Sequence, residues 1–496
     1  MQWLINNMLI KINGNLGSLN GLPVQTHSIS IEEKVSCLNI KINTTECGWL
    51  QLMLWDPAGK LRMQHLHLKK QSCITISEEL NQNNCTTVSG YLPLGQYILE
   101  IFVDPRENIE YEIAVEDKSL DNINENIQIW TDGNYSSKGI LLNKYDFTKR
   151  FSEENRWYSG DCHAHSTLSD GKQTMKESMA SAEKMCLDFY FITEHNILPT
   201  AWYKGKVLAI PGVEVTGQPS HFNALGLNKW IDLRPNSIDG GISTQEGMNR
   251  LLEEVATNGA IRSVNHPALF PWRFEYKDTL LKNMDTIEII NDPTFKDSKL
   301  ATEKALQLWN ILWQNGHKIW GIGGSDSHLL PEEKYEGASK PSLIGDPKTW
   351  VYSKGLSAEG IITSIKQGRV YVSRGPELDI KIKCCGLEYL PGSDLSELFK
   401  ENKELVLEYF IRFDYLEEEC ELKFVENGEE IICKKIIGGE NYKFQLLWQG
   451  ADYVWTRMEL RNKEGHLLLF TNPVYKGEKK EKLTNWGELL EKAGGY

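Results

Sequence analysis

The chain has 496 residues, of which 41% are hydrophobic and 25% are charged, and its formal net charge is −14. This composition is typical of a globular protein, and the length suggests about three domains. The negative charge argues against charge-driven binding to nucleic acid or to an anionic membrane, because both carry negative charge themselves.

The beginning of the chain carries no mark of export. Residues 1–8 have neither a basic segment nor a small-residue cleavage site after a long apolar stretch. No apolar run approaches the roughly 18 to 20 residues that span a bilayer. We therefore expect no signal peptide, no membrane segment and a cytoplasmic location. The ten cysteines are scattered without a Cys-x-x-Cys pair, so free thiols are the default expectation.

Residues 1–150 are predicted to form an N-terminal β-sandwich-like domain. The apolar run at 49–55 ends in the turn signature Asp56-Pro57-Ala58-Gly59, and a further strand is expected at 96–103. Short strands separated by turn residues are typical of a sandwich. No catalytic chemistry is assigned to this region.

Residues 151–376 have a different pattern, in which strands and amphipathic helices alternate. Apolar residues spaced three and four apart predict helices that start near 175, 245 and 301. Short apolar runs predict strands at 189–193, 207–210, 261–264, 286–290 and 318–322. This alternation predicts a parallel α/β fold, either barrel-like or doubly wound.

From residue 377 the pattern returns to β. Alternating apolar residues predict strands at 405–413, 442–448 and 453–460, and Asn427-Gly428 signals a hairpin. We expect a small C-terminal β-module at 377–475 and a charged tail at 476–496 that ends in a short helix.

The stretch from Asp161 to Gly171 contains the pair His163 and His165, followed by Asp170. Side chains alternate between faces along an extended strand, so the two imidazoles are predicted to point the same way, with Cys162 on the other face. Two imidazoles aimed at one point suit divalent metal ions. A His-x-His pair alone is a weak signal.

Residues with similar metal-binding chemistry recur after several later strands of the same segment. In parallel α/β folds, functional groups gather beyond the carboxyl ends of the strands. The full set of predicted ligands is His163, His165, Asp170, His195, Glu214, His221, His266, Asp326 and His328.

Residues 155–376 resemble the PHP (polymerase and histidinol phosphatase) superfamily, and more narrowly its CehA/McbA-type branch. The resemblance rests on His-x-His with a downstream Asp-Gly, on Glu-His after a strand, and on the Gly-Val-Glu, Asn-His-Pro and Ser-Asp-Ser-His motifs. The branch is suggested by residues 221–226, 323–328 and 368–376. This resemblance implies a distorted (β/α)7 barrel that binds two or three divalent metal ions.

Carried over by position, the resemblance implies three metal sites. The first would be held by His163, His165, Glu214 and Asp326, and the second by Glu214 as a bridge with His221 and His266. The third would be held by Asp170, His195 and His328. Some relatives have histidine where this chain has Asp170, which favours manganese or iron over zinc at that site.

These features predict a metal-dependent hydrolase that uses a metal-activated water, with Glu214, Asp326 and His328 as catalytic residues. The expected substrate is a small-molecule phosphate ester, either a phosphomonoester or a phosphodiester, and the metals are manganese, zinc or iron. Arg273 and Lys172 are candidate substrate contacts. The alternatives are a hydrolase of carboxylic esters, carbamates or amides, and a binding protein whose barrel is an inactive relic. Asp161 or Asn265 is expected to hydrogen-bond the outer nitrogen of a ligand histidine.

Overall fold

The protein is described here by a computed structural model, which covers residues 8–17, 24–103, 108–117, 126–217, 219–401, 403–450 and 452–495. Residues 1–7, on which the export expectation partly rests, lie outside the described residues. The structure is a mixed α/β fold that is rich in sheet. Among the described residues, no helix has both the length and the apolar character needed to cross a bilayer. All ten cysteines are free thiols.

The described part of the N-terminal region contains nine strands: β1 (Met8–Gly17), β2 (Val24–Ile31), β3 (Cys37–Thr44), β4 (Leu50–Trp55), β5 (Leu61–His67), β6 (Gln71–Ser77), β7 (Gly95–Val103), β8 (Asn108–Glu116) and β9 (Ile127–Ile129). Two four-stranded antiparallel sheets form, in the orders β1-β8-β3-β6 and β2-β7-β4-β5. Ile40, Leu52 and Ile113 belong to one buried apolar cluster that joins the two sheets. The sandwich expected for this region agrees with this arrangement.

The middle region contains ten strands and four α-helices. The strands are β10 (Ser152–Asp161), β11 (Phe189–Ile192), β12 (Ala201–Tyr203), β13 (Leu208–Thr216), β14 (His221–Leu225), β15 (Ile261–Val264), β16 (Thr286–Asn291), β17 (Trp320–Gly324), β18 (Lys348–Leu356) and β19 (Val370–Ser373). The helices are α1 (Met175–Lys184), α2 (Gln245–Thr257), α3 (Ser298–Gln314) and α4 (Ala358–Lys366). β12 pairs with β9 of the N-terminal region.

The sheet of the middle region is mixed, whereas the sequence pattern predicted a parallel one. Parallel ladders join β10 to β11, β11 to β13, β15 to β16 and β16 to β17. The pairs β13–β14, β14–β15, β10–β18 and β18–β19 are antiparallel. The loop between β13 and β14 is short, and a short connection joins antiparallel strands, so β14 returns beside β13.

The seven-fold barrel implied by the family resemblance is not established by the strand pairing. Among the described residues, no ladder joins β17 to β10 or β18. Side chains satisfy the backbone of β17 instead: Thr349 Oγ1 accepts from Gly323 N (3.0 Å) and donates to Gly323 O (2.7 Å). Asn472 bonds both backbone groups of Gly321, at 2.7 and 3.0 Å. These contacts supply partners that a buried strand would otherwise lack.

The apolar residues that predict α2 and α3 form the buried faces of those two helices. Met248, Leu251 and Val255 of α2 are buried, as are Leu308 and Leu312 of α3. α2 is capped at its N-terminus by Thr244, whose hydroxyl accepts from Gly247 N at 3.0 Å.

The C-terminal region contains β20 (Glu377–Cys384), β21 (Leu387–Tyr389), α5 (Ser396–Glu401), β22 (Glu404–Asp414), β23 (Cys420–Glu426), β24 (Glu429–Ile436), β25 (Asn441–Gln449), β26 (Val454–Arg461), β27 (Leu467–Thr471), β28 (Val474–Lys476) and α6 (Trp486–Ala493). One four-stranded sheet has the order β21-β20-β22-β25. The remaining strands continue the large central sheet, because β27 pairs with β19. The Trp486 indole of α6 is buried and donates to Phe274 O. The four domain limits named above stay predictions.

Candidate metal centre

The nine predicted ligand residues come together at one edge of the large sheet. His163 and His165 lie just beyond β10, where Ala164 bridges to Ser327. Asp170 follows them in the segment between β10 and α1. The other six residues lie within β13, at the start of β14, or in the segments that follow β11, β15 and β17. The carboxyl ends of the parallel strands therefore converge on one site, as the sequence pattern predicted. The nine are His163, His165, Asp170, His195, Glu214, His221, His266, Asp326 and His328.

A first cluster forms around the His-x-His pair. The Nε2 atoms of His163 and His165 are 3.1 Å apart. Asp326 Oδ1 lies 3.3 Å from His163 Nε2 and 3.2 Å from His165 Nε2. The two carboxylate oxygens of Glu214 lie 3.4 and 3.3 Å from the same two nitrogens. Four side chains thus direct ligand atoms at one point.

A second cluster shares Glu214 with the first. Glu214 Oε1 lies 3.1 Å from His221 Nδ1 and 3.3 Å from His266 Nε2. Asn265 Nδ2 donates to the same oxygen at 2.8 Å. Because both oxygens of Glu214 face histidine nitrogens from two clusters, this carboxylate occupies the position of a bridging ligand.

A third cluster lies on the more open side of the site. Asp170 Oδ2 is 3.3 Å from His195 Nε2, and Asp170 Oδ1 is 3.2 Å from His328 Nε2. His165 stacks against both histidines, with ring centroids 4.4 and 4.2 Å away. The other nitrogen of His195, Nδ1, lies 2.9 Å from Glu214 Oε2, so the three clusters are continuous.

The donor set fits divalent metal ions. Ligands about 2.0–2.2 Å from a common cation lie roughly 3.0–3.6 Å from one another, which is the spacing seen here. Asp326 Oδ1, Glu214 Oε2 and His165 Nδ1 are buried, and none makes a hydrogen bond of good geometry in the described structure, although histidine nitrogens lie 2.9–3.3 Å from the two oxygens. A buried carboxylate oxygen without a partner is costly, so these atoms fit metal ligands better than members of a hydrogen-bond network.

The backbone is strained where it presents some of these groups. His266 and Asp326 have φ values of 29° and 50°, and neighbouring Asn196 and Asp292 have φ values of 54° and 35°. Non-glycine residues seldom adopt positive φ, and such residues are concentrated at functional sites. Gly324 is needed for a related reason, because a Cβ there would lie 2.3 Å from His163 Cβ.

Burial and close opposite charges oppose each other in setting the proton affinities of the cluster. Burial alone would lower the pKa of His163, but the carboxylates of Asp326, Glu288 and Glu214 outweigh it and hold that pKa well above its usual range. For Glu214, burial would raise the pKa, but the neighbouring histidines hold it well below its usual range. Burial lowers the pKa of His221 to about 4.

Glu288 is a site residue that the sequence analysis missed. It is fully buried in β16, and its Oε1 lies 2.9 Å from His163 Nδ1. Its Oε2 accepts from His266 N and Asn291 Nδ2, each at 2.9 Å. A carboxylate inside the apolar run at 286–290 was the available signal, because such a group is buried only when it is paired.

The predicted outer partners of the histidines are wrong in their roles. Asp161 accepts from the backbone of His163, Ser325 and Gly345, at 3.1, 2.9 and 2.7 Å, and so holds chain segments together. Asn265 bonds Glu214 rather than a ring nitrogen. The physical reason is geometric: the outer nitrogen of His163 faces Glu288, which is carried by β16, several strands away from β10 in the sheet.

The loop that carries Asp170 is fixed by another buried carboxylate. Glu194 accepts from Ser166 N at 3.2 Å, and from the hydroxyls of Ser166 and Ser169 at 2.5 Å each. His195 follows Glu194 directly, so one short segment positions two members of the third cluster. His195 Nδ1 also lies 2.6 Å from Thr216 Oγ1.

The N-terminal sandwich reaches the site. The half-buried ring of Trp49 meets the His195 ring edge to face, with centroids 5.1 Å apart. Gln51 Nε2 donates to Asn196 O at 3.1 Å, and Gln64 bonds both backbone groups of Leu198. The segment that follows His195 is therefore held by two strands of the sandwich, a role that the sequence did not indicate.

The two predicted substrate contacts have partners outside the ligand set. Lys172 Nζ pairs with Glu333 at 2.8 Å, although Lys172 N donates to His328 O. Arg273 Nε pairs with Glu275 at 2.7 Å, and its guanidinium lies over the Phe270 ring. Their roles as substrate contacts stay predictions.

The metal-free protein is expected to lose stability as the pH rises from about 6.5 to 9. Burial would lower the pKa of His328, but Asp170 and then Asp326 outweigh it and raise this pKa to about 9. A raised folded-state pKa stabilises the fold fully below the unfolded value of 6.5, and that contribution is lost as the pH passes 9. We expect a fall of about 1–3 kcal/mol in the free energy of unfolding, measured by urea titration in EDTA. A His328→Gln variant should show a smaller fall, and an equal fall would contradict the assignment.

This chain shows only low similarity to known proteins in sequence and in structure. No family model matches the chain. No curated protein matches it either. Among solved structures, a two-domain Bacteroides vulgatus ATCC 8482 protein "containing predicted PHP-like metal-dependent phosphoesterase" is 18% identical, covers 64% of this chain and 95% of its own, and has a TM-score of 0.35. An amidohydrolase from Chromobacterium violaceum is 14% identical over 35% of this chain and 89% of its own, with a TM-score of 0.24. At these TM-scores, the function of this chain is inferred from its own site.

Proposed function

We propose that this chain is a metal-dependent hydrolase of the PHP type, and that it most readily cleaves phosphate esters of small molecules. The proposal extends to the CehA/McbA branch, to a distorted (β/α)7 barrel at residues 151–376, and to two or three bound manganese, zinc or iron ions. The observation that supports it best is the convergence of the ligand side chains: eight of the nine form three overlapping groups whose ligand atoms lie within 4.8 Å of one another, which suits shared cations. The ninth, His266, has its Nε2 3.3 Å from Glu214 Oε1.

Each predicted catalytic residue has a distinct task in this proposal. Glu214 links the first two clusters, because its Oε2 faces His165 of the first and its Oε1 faces His221 of the second. Asp326 Oδ1, buried beside His163 and His165, keeps the first cluster anionic enough to bind a cation. His328 is 26% exposed and adjoins Asp170, which is 33% exposed, so substrate approaches from this side.

Divalent ions bound here would activate water as a nucleophile at neutral pH and offset negative charge that grows on phosphoryl or carbonyl oxygens. The protein supplies the rest. Glu288 fixes the proton of His163 on Nδ1, so Nε2 is left free to face the cluster. The Trp49 ring covers one side of the His195 ring and so limits the access of water to it. Glu194 accepts a hydrogen bond from Ser169 and so fixes the loop that carries Asp170.

Metal removal is the direct test of this proposal. We expect p-nitrophenyl phosphate or bis-p-nitrophenyl phosphate to be hydrolysed, EDTA to abolish turnover, and Mn²⁺ to restore it. Turnover of p-nitrophenyl acetate alone, with the same metal dependence, would replace the phosphoesterase assignment with a carbonyl-ester one. Hydrolysis that is unaffected by EDTA would contradict the metal centre.

The carboxylic ester, carbamate or amide hydrolase is the second candidate, because an activated water attacks carbonyl carbon as well as phosphorus. The inactive relic is less well supported, since a relic would be expected to have lost ligands and this site keeps all nine. Purified protein that binds no metal and hydrolyses no ester would favour it.

A further inference from the structure

A second concave site lies apart from the metal centre. A cavity of about 950 Å³ opens between three walls. They are residues 293–303, which include the first turn of α3; residues 337–350, before and within β18; and residues 373–375 at the end of β19 together with 462–468 of the C-terminal region. None of the nine predicted metal ligands lines it. Its volume lies within the range of roughly 300–1,000 Å³ that small-molecule sites occupy.

The cavity is strongly cationic, although the chain as a whole is acidic. Four lysines line it, and within the described residues none of the four has a carboxylate within ion-pair distance; they are Lys296, Lys299, Lys340 and Lys348. The two acidic residues that line it are already neutralised. Asp346 pairs with Arg374 through two contacts of 3.0 Å, and Glu303 pairs with Arg461 at 2.6 Å.

Lys348 is half-buried and the other three lysines are exposed, so water screens part of their mutual repulsion. The concave wall focuses the remaining positive field into the cavity. An anionic ligand would relieve this repulsion. Apolar surface lies among the charges: Trp350 is half-buried, stacks on Tyr371 with centroids 5.6 Å apart, and has the Lys348 ammonium 5.8 Å from its ring centroid. Phe295 and Leu343 add further apolar wall.

We propose that this cavity binds a small organic polyanion, which carries at least two phosphate, sulfate or carboxylate groups on an apolar or aromatic body. The ligand class follows from the four unpaired lysines and the apolar walls between them. The site is separate from the hydrolytic centre, so the ligand is a second molecule rather than the group that is cleaved, and the inference goes beyond the proposed function.

The test uses pyrene-1,3,6,8-tetrasulfonate, a fluorescent aromatic tetra-anion that is a weak chelator, and follows its anisotropy with the full chain. We expect binding that weakens as salt rises, and a loss of at least tenfold in affinity for Lys296→Ala/Lys340→Ala, which removes one cation from each of two walls. The matched control is Lys176→Ala/Lys184→Ala on α1, where both lysines are exposed and lie outside the cavity. It should bind within twofold of the parent chain.

Competition then identifies what the site recognises. ATP and inorganic pyrophosphate should displace the probe, and uncharged adenosine should not. Displacement by adenosine, no probe binding at 1 mM, or equal losses in the two double variants would each overturn the proposal. Probe binding should persist in His163→Ala/His165→Ala, and its loss there would assign the anion to the metal centre instead.

Discussion

Replacing His163 and His165 together with alanine is expected to remove bound divalent metal and to lower hydrolysis by at least about 10³-fold. Removal of one preorganised electrostatic contact in an active site already costs about 10²- to 10³-fold, and this change removes two facing ligands. Both nitrogens meet Glu214 and Asp326 within 3.4 Å, so the first cluster loses half of its donors. Metal analysis of the purified variant and turnover of p-nitrophenyl phosphate measure the two effects.

The chain provides its own control for this change. His65 and His67 form a second His-x-His pair in β5 of the sandwich, where His67 bonds Ser72 at 2.8 Å rather than a carboxylate. The His65→Ala/His67→Ala variant should keep its metal and its activity if it folds, which circular dichroism checks. Full activity in a folded His163→Ala/His165→Ala protein would refute the site.

Local sequence signals predicted local structure well. The Asn427-Gly428 hairpin is confirmed: β23 and β24 flank it, and the two residues have φ values of 52° and 92°. The Asp56 turn is also confirmed, since Asp56 Oδ1 accepts from Ala58 N and Lys60 N at 2.9 Å. These turns are determined by the conformational preferences of a few neighbouring residues, so they can be predicted from the local sequence.

The direction and closure of the large sheet could not be predicted in the same way. β14 is a five-residue strand that pairs antiparallel with both β13 and β15, and β18 likewise pairs antiparallel with β10 and β19. The apolar residues of these strands do not indicate strand direction. The support of β17 by Thr349 and Asn472 joins residues 26 and 151 positions apart. Such contacts depend on tertiary placement rather than on local preference.

In the candidate site, too, the residues that belong to local motifs could be predicted, whereas those placed by tertiary packing could not. The ligand residues follow strands and belong to short motifs, so the sequence could indicate them. Glu288 and Trp49 carry no motif, and their roles arise only where β16 and the sandwich pack beside His163 and His195. The assignment of Asp161 and Asn265 as histidine partners was wrong because closeness in sequence to a ligand does not fix which ring nitrogen a side chain faces.

Glu288→Ala is expected to weaken metal binding by about 10- to 100-fold, the usual effect of removing an outer partner of a ligand histidine. His163 must present a bare Nε2 to the cluster, so its proton must sit on Nδ1, and Glu288 Oε1 accepts that proton at 2.9 Å. The change also leaves His266 N and Asn291 Nδ2 without their acceptor, so a loss of about 1–3 kcal/mol in the free energy of unfolding is expected for each donor left unsatisfied. Chelator competition measures the affinity, and urea titration measures the stability.

Glu288→Gln separates the charge of this side chain from its shape. The amide keeps one acceptor oxygen, so it can accept either from His163 Nδ1 or from His266 N and Asn291 Nδ2, but not from both sides. It should therefore lose less stability than alanine while it still weakens metal binding, because a neutral partner makes His163 Nε2 a weaker metal ligand. If Glu288 only filled space in β16, the glutamine variant would bind metal as the parent chain does. Metal affinity within twofold of the parent in folded Glu288→Ala would show that His163 needs no partner, and the ring orientation would then have to come from packing against its neighbours, which include the His165 and His266 rings.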